Sequence, residues 1–358
     1  MKTIIIKDLE QFNQATRIIQ EGGLVAAPTE TVYGLCANAL NETAVGNIFK
    51  AKGRPNDNPL IVHIADLDML YTLVTEVSPI AQKLIERFWP GPLTLIFKAK
   101  SIVPQAVTAG LDTVAVRFPS HPLMQKLIKD SGLPIAAPSA NTSGKPSPTN
   151  MQRVFEDMDG KIDCIIDGDS SEIGVESTIV DTTGDIATVL RPGGITYEML
   201  EEVLGEIAID PAITNTLKEG QQPKAPGMKY THYSPNADVF IIKNSSAYFD
   251  ATHHNMFGDL DNLREHLTTL VNEAHEHNKK VGILATDETK HLFKADLVLS
   301  AGTESDLQTI SAHLFEVLRS FDDNGIDIVY SLAFPKKGLG VAIMNRLEKS
   351  AGYHFITI

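Results

Sequence analysis

Cysteine is almost missing from this chain: 358 residues contain two, Cys36 and Cys164. They lie far apart and in no metal-binding spacing, which excludes a disulfide-stapled secreted scaffold and a cysteine zinc module. Two core thiols in a reducing compartment are expected. Long apolar runs are missing as well. Ile4-Ile5-Ile6 is too short and too closely flanked by charge for a signal peptide, and no segment is apolar enough to span a membrane, so a cytoplasmic protein is expected. Positive charge is in deficit, with 31 Lys and Arg against 45 Asp and Glu and a formal net charge of -14. That balance excludes a generally basic surface, and no stable nucleic-acid binding is expected. Cations gathered in one apolar-flanked region then point to a specific anionic target. The length makes two domains the natural division.

Named nucleotide and nucleophile motifs are absent too. Gly144-Lys145 is followed by Pro146, and Ser139 stands where a P-loop needs its first glycine. Gly338-Leu339-Gly340 lacks the third glycine of a dinucleotide fingerprint and is expected to be a tight, closely packed turn. There is no histidine pair of the metalloprotease kind, no nucleophile elbow and no cysteine placed as an attacking group, so covalent catalysis is not indicated.

What is present is an alternation of strand and helix patterns, which defines an α/β class. Residues 1–205 read as a catalytic domain built on a twisted mixed sheet. Within it, Asn41 caps a helix that delivers the chain to residue 52, and Ser78-Pro79 opens a helix ending at Phe88. Strands are expected over 93–98, 113–118 and 133–137. Residues 206–237 lose periodicity and collect turn-formers, ending in Ala225-Pro226-Gly227-Met228-Lys229-Tyr230-Thr231-His232-Tyr233-Ser234-Pro235, and read as a linker. Residues 238–358 read as a smaller Rossmann-like α/β domain with a largely parallel sheet.

The densest chemistry lies in Lys52-Gly53-Arg54-Pro55-Asn56-Asp57-Asn58-Pro59-Leu60. Two cations across a glycine offer a phosphate two donors and a closely approaching backbone. An isolated Lys-Gly-Arg is more simply a solvated turn, so the case rests on a set: Thr31, Lys52, Arg54, Asn58, His63, Arg117, Ser139, Asn141, Ser147, Ser177 and Arg191. Nearly all lie on loops or strand ends, where sites form. Thr113, Ala115 and Arg117 alternate onto one strand face.

Several strings carry a resemblance: Pro28-Thr29-Glu30-Thr31-Val32-Tyr33-Gly34-Leu35, Lys52-Gly53-Arg54-Pro55 with Asn58-Pro59-Leu60, Trp89-Pro90-Gly91-Pro92-Leu93-Thr94, Pro138-Ser139-Ala140-Asn141 and Arg191-Pro192-Gly193. Together they resemble the threonylcarbamoyl-AMP synthase family with its YrdC-like domain, and the run ending in Asn345-Arg346 resembles the extra domain of the long members. The resemblance implies synthesis of threonylcarbamoyl-AMP and pyrophosphate from L-threonine, bicarbonate and ATP, for modification of tRNA by downstream threonylcarbamoyl-transfer proteins. It implies Lys52 and Arg54 as catalytic cations, joined at the nucleotide by Arg191, Asn58, Ser139, Asn141, Ser147 and Tyr233, with 206–237 as a lid. Threonine falls to Arg117 for its carboxylate and to Thr31, His63 and Ser177 for its amine and hydroxyl, beside Thr113 and the backbone at Ala137. Magnesium is expected with ATP, with no protein ligand for it in the sequence. Two rivals remain: a carbamoyltransferase of the hydrogenase-maturation type, whose zinc cysteines this chain lacks, and an RNA-binding module, which the acidic balance opposes.

Overall fold

The computed structural model describes residues 2–213, 233–243 and 257–358. These divide into two compact units, one comprising the chain to Ser143 and from Ser147 through residue 213, the other Gly144–Pro146 and the chain from Tyr233 on. Residues 214–232, the greater part of the expected lid, lie outside the described residues.

The first unit is built on one mixed sheet. Its strands are β1 (Ile4–Ile6), β2 (Val25–Ala27), β3 (Gly34–Asn38), β4 (Ile61–His63), β5 (Leu93–Lys98), β6 (Thr113–Arg117), β7 (Ile135–Ala136), β8 (Cys164–Ile166), β9 (Thr178–Asp181), β10 (Thr188–Arg191) and β11 (Ala208–Ile209). They run in the order β1-β8-β2-β3-β7-β4-β6-β5-β9-β10-β11. The strand expected over 133–137 shortens to Ile135–Ala136, because Pro134 and Pro138 on either side have no N–H to give a ladder.

Local signals place the helices that feed the sheet. Asn41 Oδ1 accepts from Ala44 N at 3.1 Å and starts the helix Glu42–Lys52, which Gly53 ends with φ at 62°. Ser78 Oγ accepts from Ala81 N at 3.2 Å and starts Pro79–Phe88. One core packs Leu35, Val62, Leu95, Val116, Val180 and Val189 from one sheet face against these helices. A second core seats Phe12 and Ile19 of the helix Phe12–Gln20, with Cys36 and Cys164, on the opposite face near β1, β2, β3 and β8. Both thiols are buried and free. On β4, β6, β5, β9 and β10, a small separate apolar strip is formed by Ile61, Ala115, Ile96, Ile179 and Leu190.

The second unit has β12 (Asp238–Lys243), β13 (Val281–Ala285), β14 (Leu297–Ser300), β15 (Ile328–Leu332) and β16 (Phe355–Thr357), ordered β14-β13-β15-β12-β16. Every pairing is parallel, as the strand–helix alternation requires. Gly338-Leu339-Gly340 is the tight turn expected. Gly338 has φ at 54°, and a Cβ on Gly340 would lie 1.9 Å from Pro335 O. Among the described residues, no helix is long and apolar enough to cross a membrane.

Candidate active site

Strand register sets three of the polar candidates, His63, Arg117 and Arg191, in one rank with Thr94 and the apolar Ile179. His63 of β4 pairs with Arg117 of β6, Arg117 with Thr94 of β5, Thr94 with Ile179 of β9, and Ile179 with Arg191 of β10. Register partners share a sheet face, so five consecutive strands present a transverse row of side chains roughly 19 Å long at the usual strand spacing. One step along, Ile61, Ala115 and Ile96 pair in the same way and supply an apolar row beside the polar one. Thr113 falls a further step away, half-buried and paired with Lys98. It shares the face of Arg117, as the alternation predicts, at a remove of four residues along the strand.

Arg117 is the most tightly held member. Its Nη1 donates to Thr31 Oγ1 at 2.8 Å and its Nε to Gly91 O at 3.3 Å. Nη2 lies 2.8 Å from Glu30 Oε1 in an ion pair, without a directed hydrogen bond. Both partners are buried, so removing either one strands a charge, at a cost of roughly 3–5 kcal/mol. Burial pushes the Glu30 carboxyl up, but the Arg117 charge and the Ser120 N–H outweigh it and hold the pKa below the ordinary value. His63 is buried beside this pair. Burial first, and Arg117 second, depress its pKa to about 3, so the imidazole is neutral near pH 7 and suits binding rather than proton acceptance.

The hydroxyls of Thr29 and Thr31 have fixed polarity. Thr29 Oγ1 donates its one proton to Val32 O at 2.6 Å, so in its 2.8 Å contact with Thr31 Oγ1 it accepts. Thr31 therefore spends its own proton on Thr29 and presents only lone pairs outward. At the other end of the row, Ser177 Oγ lies 2.8 Å from Thr94 Oγ1 and accepts from Arg191 Nη2 at 3.2 Å, while Arg191 Nε donates to Ser177 O at 3.1 Å. Gly193 permits this. A Cβ there would sit 2.3 Å from Thr178 N and 2.5 Å from Glu176 O.

The Lys52 stretch meets the Ser139 loop. Lys52 is buried, and its Nζ donates to Ser139 O at 2.5 Å and Asn141 O at 2.7 Å. It thus ties the end of its own helix to the Ser139 loop. Arg54 Nη2 donates to Asn58 O at 3.2 Å and Pro59 O at 3.3 Å, closing its own loop. Asn58 is buried with no partner for Oδ1. Ser139 Oγ donates to Asn141 Oδ1 at 2.5 Å, and Ser147 Oγ donates to Glu176 Oε1 at 2.5 Å. Ala137 N donates to Ile61 O at 3.0 Å, which fixes the chain where it leaves β7.

The segment from Thr29 to Gly34, rather than the Lys52 stretch, is the hub. Thr31 meets Arg117, Tyr33 O accepts from Ala140 N at 2.8 Å, and Gly34 bridges Ser139. Tyr33 N donates to Pro148 O at 2.9 Å, and Glu30 O accepts from Ile173 N at 2.9 Å. Tyr233 belongs to the second unit, where it stacks on Phe315 at 5.1 Å with Arg346 over its ring. Sequence reasoning singled out neither Glu30 nor Thr94 nor Glu176. Glu30 carried one signal, as the lone carboxylate in a hydroxyl-rich loop at a strand end. Among the described residues, no three His, Cys, Asp or Glu side chains are placed to hold a metal ion. Glu30 and Glu176 are each engaged, by Arg117 and Ser147.

Fold and site define a two-domain α/β protein whose first unit is YrdC-like. A family model described as "Telomere recombination" matches residues 17–193, and one described as "Threonylcarbamoyl-AMP synthase, C-terminal domain" matches 195–352. Threonylcarbamoyl-AMP synthase of Bacillus subtilis is 47% identical over 96% of this chain and 93% of its own length. The Pyrococcus abyssi synthase is 46% identical over 99% of this chain and 100% of its own. A crystal structure of a P. abyssi relative complexed with L-threonine superposes with a TM-score of 0.89 at 45% identity, covering 100% of both chains. The chain belongs to the threonylcarbamoyl-AMP synthase family.

Proposed function

We propose that this chain forms threonylcarbamoyl-AMP and pyrophosphate from L-threonine, bicarbonate and ATP, for transfer onto tRNA by downstream proteins. The observation that carries the reading is the row centred on Arg117. A buried guanidinium held by Thr31 and Gly91 and ion-paired through Nη2 with Glu30 suits capture of an amino-acid carboxylate. The neutral His63 and the lone pairs of Thr31 flank it and read the amine and hydroxyl.

The threonine amine takes up bicarbonate with loss of water, and a carbamate oxygen then attacks the α-phosphorus of ATP as pyrophosphate departs. Lys52, Arg54 and Arg191 hold the charge that grows on the phosphoryl group and the leaving group. Lys52 is fixed by carbonyls before the ligand arrives, and such preorganisation is what makes a cation effective. Asn58, with its unmet Oδ1, and the Ser139–Asn141–Ser147 loop face the nucleotide. Ser147 offers lone pairs, its proton being given to Glu176. Magnesium enters as MgATP, held by phosphate and water. The carbamoyltransferase and RNA-binding alternatives are not favoured by the family assignment.

The test is incubation with ATP, threonine and labelled bicarbonate. Pyrophosphate release and a labelled adenylate, both requiring threonine, are expected. Serine in place of threonine should lower kcat/KM by about 10- to 200-fold for the missing methyl. Pyrophosphate release that needs neither threonine nor bicarbonate would refute the reading.

A further inference from the structure

The Glu30 carboxylate has one oxygen accounted for and one not. Oε1 faces Arg117 Nη2 at 2.8 Å and accepts from Ser120 N at 3.0 Å. Oε2 is buried and meets no donor, on a residue only 7% exposed. The backbone pins it there, since Glu30 O accepts from Ile173 N and the threonines on either side are locked to one another. A buried acceptor left unmet is costly, and native proteins keep few of them. Such an oxygen marks the place of a donor that arrives from outside.

The neighbours specify that donor. An ionised oxygen forms its strongest hydrogen bonds with a charged N–H group. Beside this carboxylate lies Arg117 Nη2, ion-paired with Oε1 at 2.8 Å. An anionic oxygen without a donor, beside a buried guanidinium that is ion-paired through the other oxygen of the same carboxylate, is the complement of a molecule carrying an ammonium and a carboxylate on one carbon. Thr31 adds a second acceptor on the same side, because its proton goes to Thr29. We propose that Glu30 is a specificity-determining residue whose Oε2 accepts from the α-ammonium group of the amino acid while Arg117 takes its carboxylate. Glu30 then selects α-amino acids over α-hydroxy acids of the same shape, which leave Oε2 without its charged donor. The inference rests on the amino-acid reading of this site proposed above.

Calorimetric titration of the full chain, without ATP, provides the test. The ligands are threonine and 2,3-dihydroxybutanoate, which is threonine with a hydroxyl in place of the amine. Wild type should prefer threonine. Glu30→Gln keeps an acceptor for Ser120 but turns a donor toward the ammonium. It should weaken threonine binding by about 10- to 100-fold, the range for a hydrogen bond to a charged group, and change the hydroxy acid by less than about 3-fold. A Glu30 that only steadied Arg117 would weaken both ligands in parallel, and that result overturns the inference. If Glu30→Gln fails to fold, Glu30→Asp, which keeps the charge and withdraws it by one methylene, carries the same comparison with the same outcomes. A wild type that binds no threonine overturns the amino-acid reading and this inference together. Threonine bound equally by wild type and variant overturns the inference alone.

Discussion

The buried titratable groups of the site make the folded chain sensitive to acid. His63 titrates near 6.5 when unfolded and near 3 when folded. Over that interval the unfolded chain binds a proton that the folded chain refuses, so stability is full above about 6.5 and declines as pH falls. Between pH 7 and 5 the expected loss from this residue is about 2 kcal/mol. Glu30, depressed in the folded state, acts in the same direction lower in the acid range, losing its contribution as pH falls through its folded pKa. Urea midpoints at pH 7, 6 and 5 check this: His63→Gln should show a shallower decline than wild type, and equal slopes would refute the assignment. At this scale the sequence was informative about residue type and weak about role. Lys52 and Arg117 were legible as cations in apolar settings. That Lys52 ties the end of its helix to the Ser139 loop through carbonyl oxygens, and that Arg117 has an acidic partner eighty-seven positions earlier in the chain, depends on contacts no local pattern encodes.

At the scale of elements, caps and prolines were readable and register was not. Asn41 and Ser78 start their helices as expected because a cap is a local contract between a side chain and an amide two or three residues on. β4 and β7 have three and two residues, too few for a period to show, yet they hold His63 and the exit to the Ser139 loop. The row itself takes members from positions 63, 94, 117, 179 and 191, and only pairing aligns them. Two glycines separate packing from backbone strain. Gly193→Ala should push Glu176–Thr178 off their positions, cost about 1–3 kcal/mol and impair threonine binding through Ser177. Gly53→Ala meets nothing within 4 Å and has only its φ of 62° to satisfy. It should cost about 1–2 kcal/mol and leave threonine affinity intact. Denaturant unfolding and threonine titration of both variants distinguish the cases, and a Gly193→Ala protein with native threonine affinity would contradict the packing argument.

At the scale of the whole molecule, charge is segregated. The chain carries a formal net charge of -14, yet Lys52, Arg117 and Arg191 are withdrawn into the site of the first unit. Cations so placed serve a small anionic ligand and are unavailable to a polyanion lying along the surface. Filter binding with unmodified tRNA at low salt and without ATP should therefore show no retention; steeply salt-dependent retention would favour the RNA-binding alternative. The α/β class and the parallel sheet of the second unit were legible from the alternation of strand and helix patterns, which is a property of composition along the chain.

The transverse row has a practical corollary for anyone preparing the protein. Were β5 to pair with β9 one residue out of step, Leu93 or Leu95 would stand where Thr94 belongs, and a polar side chain would point into the helix-packed core. Such a misassembled sheet would give an ordinary far-ultraviolet dichroism spectrum. It would not bind amino acid. On the reading proposed above, stoichiometric uptake of threonine would thus report on the alignment of five strands at once.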